Sequence, residues 1–204
     1  MQITGMLWGR KLLDLVEFPH SEVRGPELGV DDIKDMIKRH GQVFIKPLFK
    51  GGVGKKGKSG LLGRVDNITD ALKEKERLYF CEHVDGFNKV KSDGVTYEGA
   101  VPADYEVYFS ISESTEHRCP IMTVTHHGGV DIEELDEDKI KVVPFDALTG
   151  LKAFHVSNAL MELGAPPEVI SPLVQNLPKL WDLYNNYGMM MLELNPIRMQ
   201  PGKG

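Results

Sequence analysis

The sequence is short of several features that would point to particular classes of protein. It has two cysteines, Cys81 and Cys119, and they lie at no spacing typical of a metal site or a redox pair. It has no apolar run long enough to cross a bilayer, and Met1 to Arg10 does not resemble a signal peptide. Its net charge is −6, whereas general nucleic-acid binders carry a basic surface. We therefore expect a cytoplasmic protein with buried thiols and no membrane or nucleic-acid partner.

The composition is that of an ordinary globular chain, with 204 residues, 41% hydrophobic and 26% charged. This length allows one large domain or two small ones. Periodicity and capping signals predict an α+β fold. The predicted helices span 10–17, 30–40, 68–77, 151–163 and 167–186, the last with Pro172 and Pro178 expected to break or kink it. The predicted strands span 43–46, 61–65, 78–84, 105–112, 121–125 and 189–194, with a polar loop over 85–103.

The stretch from Gln42 to Val65 is the most informative part of the chain. It sets a short apolar run containing Lys46 before a loop rich in glycine and lysine, a composition that suits a phosphate group. Gly52, Gly57, Lys58 and Ser59 also match the P-loop pattern, which requires a helix to begin at the Lys-Ser pair. The residues after Ser59 contain two further glycines and favour a strand. We therefore predict a β-hairpin with a basic tip, and a helix there would instead support a P-loop NTPase.

Four other polar residues interrupt or end predicted strands. Glu82 and Glu106 lie inside apolar strands, where a carboxylate suits hydrogen bonds to an adenine amine or to ribose hydroxyls. Glu193 and Asn195 end the last strand and offer the hard oxygen ligands that Mg²⁺ prefers. A single such residue is more often on a solvent-facing side of a strand. Their occurrence together with the basic loop favours a nucleotide site.

These motifs resemble the ATP-grasp nucleotide-binding domain of the succinyl-CoA synthetase β subunit and of ATP-citrate lyase. The resemblance covers about Gln42 to Pro196, and the lyase is the closer match. It rests on motifs that occur in the family's order: Ile45-Lys46-Pro47, Lys55 to Gly63, the strand with Glu82, Tyr105 to Tyr108, His126 to Asp131 and Leu192 to Pro196.

The resemblance implies a fold, cofactors and site residues. The fold would be an ATP-grasp fold in which two subdomains grip the nucleotide, with a helical segment at 1–41, the ATP-grasp domain at 42–196 and a truncated tail at 197–204. The cofactors would be ATP and Mg²⁺. Lys46, Lys55, Lys56 and Gly57 would hold phosphates, Glu82 and Glu106 would lie at the base and ribose, and Asn195 would bind Mg²⁺.

The resemblance also implies a reaction and partners. The γ-phosphate of ATP would pass to a histidine on a separate synthetase module, so we expect a hetero-oligomer. Citryl phosphate and citryl-CoA would follow, and cleavage would give acetyl-CoA and oxaloacetate. Citrate and CoA would be handled by modules that this chain lacks, so the chain alone is expected to be inactive.

Three departures from the family pattern are visible. The loop between Lys46 and Gly57 is about two residues longer than the lyase pattern. His127 stands where the family usually has Glu before Gly-Gly-Val. The family's second Mg²⁺ ligand is an Asp beyond the Asn-Pro element, and the chain ends before such a strand. We therefore expect a fragment or part of a longer subunit.

Three alternatives remain open besides the P-loop NTPase. The chain could be the β subunit of a succinyl-CoA or other acyl-CoA synthetase, or a non-catalytic scaffold that binds a synthetase partner. His126-His127 could be a phosphate acceptor, although the pair fits a turn between a strand and an acidic segment better.

Overall fold

The computed structural model describes residues 6–49, 60–85, 88–129, 132 and 135–200. The chain divides into two compact units. Unit 1 comprises residues 1–14 and 20–101, and unit 2 comprises residues 15–19 and 102–204. Helices and sheets occur in both, so the predicted α+β class is confirmed.

Unit 1 is built on a five-stranded sheet with helices against it. Its elements in chain order are α1 (Met6–Asp14), β1 (Val23–Arg24), α2 (Val30–His40), β2 (Val43–Phe49), β3 (Gly63–Val65), α3 (Ile68–Tyr79), β4 (Glu82–Asp85) and β5 (Asn88–Gly99). The strand order is β1-β5-β2-β3, and β4 pairs with the first residues of β5. All of these pairings are antiparallel.

Local signals account for the helices of unit 1. The predicted helix over 30–40 is confirmed as α2, and Gly41 ends it with a φ of 72° and an N–H that donates to the carbonyl of Ile37 at 2.7 Å. Asn67 caps α3 as predicted, because its side-chain oxygen accepts the N–H of Asp70 at 2.9 Å. The helix predicted at 10–17 begins earlier, at Met6.

The core of unit 1 lies between the sheet and helices α2 and α3. Ile33 and Met36 of α2 pack with Val43 and Ile45 of β2 and with Tyr97 of β5, and all five are at most 1% exposed. Because side chains alternate along a strand, the residues next to these point to the opposite face of the sheet. That opposite face carries the polar residues described below.

Two predictions in unit 1 are wrong. The strand predicted over 78–84 begins only at Glu82, because α3 continues to Tyr79 and buries Leu78 two turns after Ala71. The loop predicted over 85–103 contains β5, a twelve-residue strand. Its polar residues and Gly94 suggested a loop, but pairing with three other strands places it in the sheet, and Gly94 packs closely against Pro26.

The structure decides between the hairpin and the P-loop. Lys50 to Ser59 lie outside the described residues, but Gly60 is in a turn and the next element is β3, which pairs with β2. A strand therefore follows the formal motif where a P-loop requires a helix. The predicted hairpin stems are confirmed and the P-loop alternative is excluded.

Unit 2 combines a four-stranded antiparallel sheet with three helices. Its elements are β6 (Tyr105–Ser114), β7 (Cys119–Thr125), a 3₁₀ turn (Glu137–Lys139), β8 (Lys141–Pro144), α4 (Ala153–Glu162), α5 (Pro167–Asn176), α6 (Lys179–Asn186) and β9 (Met191–Met199). The strand order is β8-β7-β6-β9.

Proline and one irregular pairing explain where unit 2 differs from the sequence pattern. The helix predicted over 167–186 is broken before Pro178, whereas Pro172 lies inside α5. The last strand does not end at Asn195-Pro196 but continues to Met199. Between Val107 and Phe109 the pairing of β6 with β9 is irregular, which keeps β9 in the sheet across the proline.

Candidate functional site

Lys46 lies in the middle of β2, on the face of the sheet that points away from the helices. Its neighbour Ile45 is fully buried in the core, while the Lys46 side chain is 31% exposed. The Lys46 ammonium donates a hydrogen bond to the carboxylate of Glu98 and forms an ion pair with it. The predicted orientation of Lys46 is therefore confirmed, and its partner is a carboxylate that the sequence did not single out.

Glu98 belongs to a row of buried polar residues along β5. Ser92, Thr96 and Glu98 are 1%, 6% and 9% exposed, and they alternate with Val95 and Tyr97 of the core. The Glu98 side chain is 11% exposed, so its charge depends on Lys46 for neutralisation. The alternation from Ser92 to Glu98 was the signal that could have revealed this residue, but the polar composition favoured a loop.

Glu82 lies in the same sheet but is not brought to Lys46. It opposes Lys91 on β5, whereas Lys46 opposes Thr96 five residues further along that strand, which is about 17 Å. The side chain of Glu82 is 50% exposed and pairs with Lys89 at 2.6 Å. That hydrogen bond and the charge of Lys89 lower the pKa of Glu82.

Lys55, Lys56 and Gly57 lie outside the described residues, so their predicted contacts with phosphate stay predictions. The segment that follows them is held by α3. Arg77 donates to the carbonyl of Gly60 at 3.1 Å, and its guanidinium also pairs with Glu74 at 2.6 Å. The C-terminal stem of the basic loop is thereby tied to a helix of unit 1.

A second polar cluster lies in unit 2, where β6, β9 and the turn after β7 meet. Glu106 accepts a hydrogen bond from the Nε of Arg198 at 2.9 Å, and its carbonyl accepts the N–H of Gly128 at 2.6 Å. The N–H of Gly129 donates to the Oδ1 of Asn195 at 3.2 Å. The structure therefore brings Glu106 and Asn195, both predicted from sequence, to the same turn.

The two glycines of this turn are required by the close approach of the chain. A Cβ on Gly128 would lie 2.6 Å from the carbonyl carbon of Val107, and Gly129 has a φ of +74°. Larger residues would either collide with the backbone of β6 or strain the turn. The contact between the turn and Glu106 thus depends on glycine at both positions.

Asn195 and Glu193 offer oxygen atoms suited to Mg²⁺. Both side chains are exposed on β9, and the Oδ1 of Asn195 keeps a second lone pair besides the one used by Gly129. Among the described residues no group of three or more His, Cys, Asp or Glu side chains is placed to hold a metal ion. The donor set fits Mg²⁺ that is bound by few protein ligands and keeps waters and phosphate oxygens.

The His126-His127 pair stands beside this cluster. The two rings lie 4.2 Å apart, and the Nδ1 of His126 is buried with no hydrogen-bond partner. Burial, together with the neighbouring charge of His127, lowers the pKa of His126. His126 is therefore neutral at pH 7 and lies in the turn that the sequence predicted.

The described residues include no helix that combines the length and the hydropathy required to cross a membrane.

A known protein family and proteins of known name match the chain. The family model of the ATP-grasp domain matches residues 18–199. The subunit beta of an ADP-forming succinate–CoA ligase from Desulfatibacillum aliphaticivorans is 28% identical over 178 residues, which cover 84% of this chain and 46% of the relative. The chain thus spans about half the length of this curated relative.

Two solved structures share the fold. ATP citrate lyase from Methanothrix soehngenii, in complex with citrate and coenzyme A, has a TM-score of 0.65 at 20% identity, covering 92% of this chain and 43% of that one. Acetyl-coenzyme A synthetase 1 from Ca. Korarchaeum cryptofilum, in complex with coenzyme A and Mg-AMPPCP, has a TM-score of 0.65 at 14% identity, covering 94% and 84%. At these identities the similarity concerns the fold alone. With nearly all of its length matched by the family model, the chain belongs to the ATP-grasp family, whose enzymes use ATP and Mg²⁺.

Proposed function

We propose that the chain is the nucleotide-binding portion of an ATP-dependent, acyl-CoA-forming enzyme. The observation that carries the proposal is the Lys46–Glu98 pair, which stands on a buried polar face of a sheet in an ATP-grasp chain. A polar face with one cation and one carboxylate suits a ligand that has both phosphates and hydroxyl or amine donors. The related succinate–CoA ligase subunit and the acetyl-coenzyme A synthetase complex with Mg-AMPPCP support this class of reaction.

In this proposal the residues of unit 1 bind the nucleotide itself. The Lys46 ammonium neutralises the α- or β-phosphate, aided by Lys55, Lys56 and Gly57 of the basic loop. Glu98 accepts hydrogen bonds from ribose hydroxyls or from the adenine amine. We assign this role to Glu98 rather than to Glu82, because Glu82 pairs with Lys89 on an exposed part of the sheet.

The residues of unit 2 serve the metal and the ribose. Asn195 and Glu193 hold Mg²⁺, and Glu106 keeps its predicted role beside the ribose or base. Bound Mg²⁺ neutralises charge on the phosphates during phosphoryl transfer. The Gly128-Gly129 turn keeps the amide of Asn195 oriented by donating to it.

The proposed reaction needs a partner. The γ-phosphoryl group leaves ADP and forms a bond to a histidine nitrogen on a synthetase module or subunit, so the working form is a hetero-oligomer. The phosphohistidine then phosphorylates a carboxylate of the acid. The CoA thiolate attacks the acyl carbon and phosphate leaves. The chain contributes positioning and charge neutralisation rather than a covalent step of its own.

We propose citrate as the acid, with citryl-CoA then cleaved elsewhere to acetyl-CoA and oxaloacetate. The His126 to Asp131 segment and the fold similarity to ATP citrate lyase support this choice. Succinate or another acid is a second candidate, which the succinate–CoA ligase relative supports equally well. ADP release by the holoenzyme with CoA and citrate, succinate or acetate in turn distinguishes the two. A holoenzyme that releases no ADP with any acid would favour the scaffold alternative.

Titration of Mg-ADP into the chain by calorimetry tests the nucleotide role. Lys46→Ala is expected to weaken binding about tenfold or more, since one charge-assisted hydrogen bond contributes roughly 1.5–3 kcal/mol. Lys89→Ala is the matched control, because it removes an exposed lysine of the same unit, and it should bind within about twofold of wild type. Equal heats in wild type and Lys46→Ala would remove the proposed phosphate role.

A further inference from the structure

Glu22 is the centre of an ionic cluster at one end of the sheet in unit 1. Its carboxylate accepts hydrogen bonds from Arg24 at 3.0 Å, from Arg39 at 2.9 Å and from the Nε2 of His40 at 2.8 Å. Burial raises the pKa of Glu22, but the hydrogen bonds and charges of these partners outweigh it and lower the pKa overall. Glu22 is therefore an ionised anchor that fixes His40, the last residue of α2.

The same residue also holds the end of β5 through the main chain. The carbonyl of Glu22 accepts the N–H of Gly99 at 3.0 Å, and the next N–H, of Ala100, donates to the carbonyl of Gln42 at 2.9 Å. Gly99 directly follows Glu98. The backbone that presents the Glu98 carboxylate is therefore tied down immediately after that residue.

The His40 ring packs against Gly99. A Cβ on Gly99 would lie 2.7 Å from the ring, about 0.8 Å closer than the ~3.5 Å at which carbon atoms make favourable contact. Gly99 is not in the left-handed region of backbone conformation, so an alanine there meets no conformational strain. The close approach of His40 is thus what the glycine allows.

The alternation of the strand connects this contact to the polar face. Tyr97 and Gly99 point toward the helices, whereas Glu98 points to the opposite face, where it pairs with Lys46. A group that pushes on Gly99 from the helix side displaces the strand end toward the face of Glu98. The position of the His40 ring therefore helps to set the position of the Glu98 carboxylate.

We propose that His40, anchored by Glu22, is a positioning residue for Glu98 and so for the nucleotide, an inference that rests on the proposed function. His40 touches neither Lys46 nor Glu98 in the described contacts. It acts through the backbone of Gly99.

A double-variant experiment tests the contact. Gly99→Ala is expected to weaken Mg-ADP binding about tenfold in calorimetry. His40→Ala alone, in which Glu22 keeps Arg24 and Arg39, is expected to weaken binding about threefold, because the strand end is less constrained. In the His40→Ala background, Gly99→Ala should have almost no further effect, since the ring that the methyl group would meet is gone. Gly9→Ala in α1, which has no atom within 4 Å of the new methyl group, should bind as wild type.

A second readout does not need the nucleotide. The carboxyl ¹³C resonance of Glu98 should shift in Gly99→Ala and return close to its position in His40→Ala when both changes are combined. Wild-type binding by Gly99→Ala, or the same tenfold loss with and without His40, would overturn the positioning role. If wild type itself fails to bind Mg-ADP, the proposed function fails, and the carboxyl resonance alone decides whether His40 positions Glu98.

Discussion

Lys46 and Glu98 should depend on each other for stability, whether or not nucleotide is bound. Lys46→Met removes the charge but keeps most of the apolar chain, and it leaves the Glu98 carboxylate, 11% exposed, without its cation. We expect the free energy of unfolding of unit 1 to fall by about 2–4 kcal/mol, somewhat below the 3–5 kcal/mol typical of a fully buried pair, because Lys46 is 31% exposed. Glu98→Gln should cost about 1 kcal/mol, since the freed ammonium can reach solvent.

The double variant measures the coupling between the two residues. When both charges are removed no unpaired buried charge remains, so the loss in Lys46→Met and Glu98→Gln combined should be smaller than the two single losses added together. The expected difference is about 1–2 kcal/mol. Native-state hydrogen exchange at the amides of Ile45 and Tyr97 reports the free energy of unit 1 without interference from unit 2.

The exposed pair of the same unit is the control. Lys89 and Glu82 are 65% and 50% exposed, so the corresponding cycle with Lys89→Met and Glu82→Gln should show no coupling beyond experimental error. Strict additivity of Lys46→Met and Glu98→Gln would refute the claim that the two charges form a protected pair. Equal coupling in both cycles would refute the claim that burial makes the difference.

Three further predictions concern single residues. Burial and the charge of His127 lower the pKa of His126 below its ordinary 6.5, so the unfolded chain binds the proton first and the unfolding free energy of unit 2 should fall as the pH drops below about 6.5; urea unfolding at pH 7.5 and 5.5 measures this, and His126→Gln should weaken the dependence. Gly128→Ala should destabilise unit 2 by about 2 kcal/mol in urea unfolding, because the new methyl group meets backbone rather than a movable side chain, and wild-type stability would contradict the close approach. Asn67→Ala should cost about 1 kcal/mol through the lost cap of α3, whereas Asn67→Ser should keep most of it, and equal losses would argue against capping.

Local patterns were sufficient for the parts of the fold that local chemistry determines. Charges at both ends of α2 and the glycine after it predicted the whole helix, and the cap at Asn67 predicted the start of α3. Alternation in a short apolar run also predicted the side of the sheet on which Lys46 lies. In each case neighbours within a few residues supply the hydrogen bonds or the burial that decide the structure.

The missed features depend on distant residues. Glu98 pairs with a lysine 52 residues away, and the strand that carries it exists because β1, β2 and β4 supply its hydrogen bonds. Glu82 was selected because it interrupts an apolar run, but in the structure the interruption reflects exposure and a partner on the neighbouring strand. Glu106 and Asn195 were identified correctly as residues of neighbouring strands, although the glycine turn that joins them was read only as a family motif.

Chemical-shift mapping tests most directly the claim that Lys46 and Glu98 form the nucleotide site. Amide and side-chain resonances of the isotope-labelled chain would be recorded while Mg-ADP is added. The account predicts the largest changes in unit 1 along β2 around Lys46 and at the end of β5 around Glu98, with little change at Glu82 and Lys89. Changes concentrated at Glu82 and Lys89, with Lys46 and Glu98 unaffected, would contradict it.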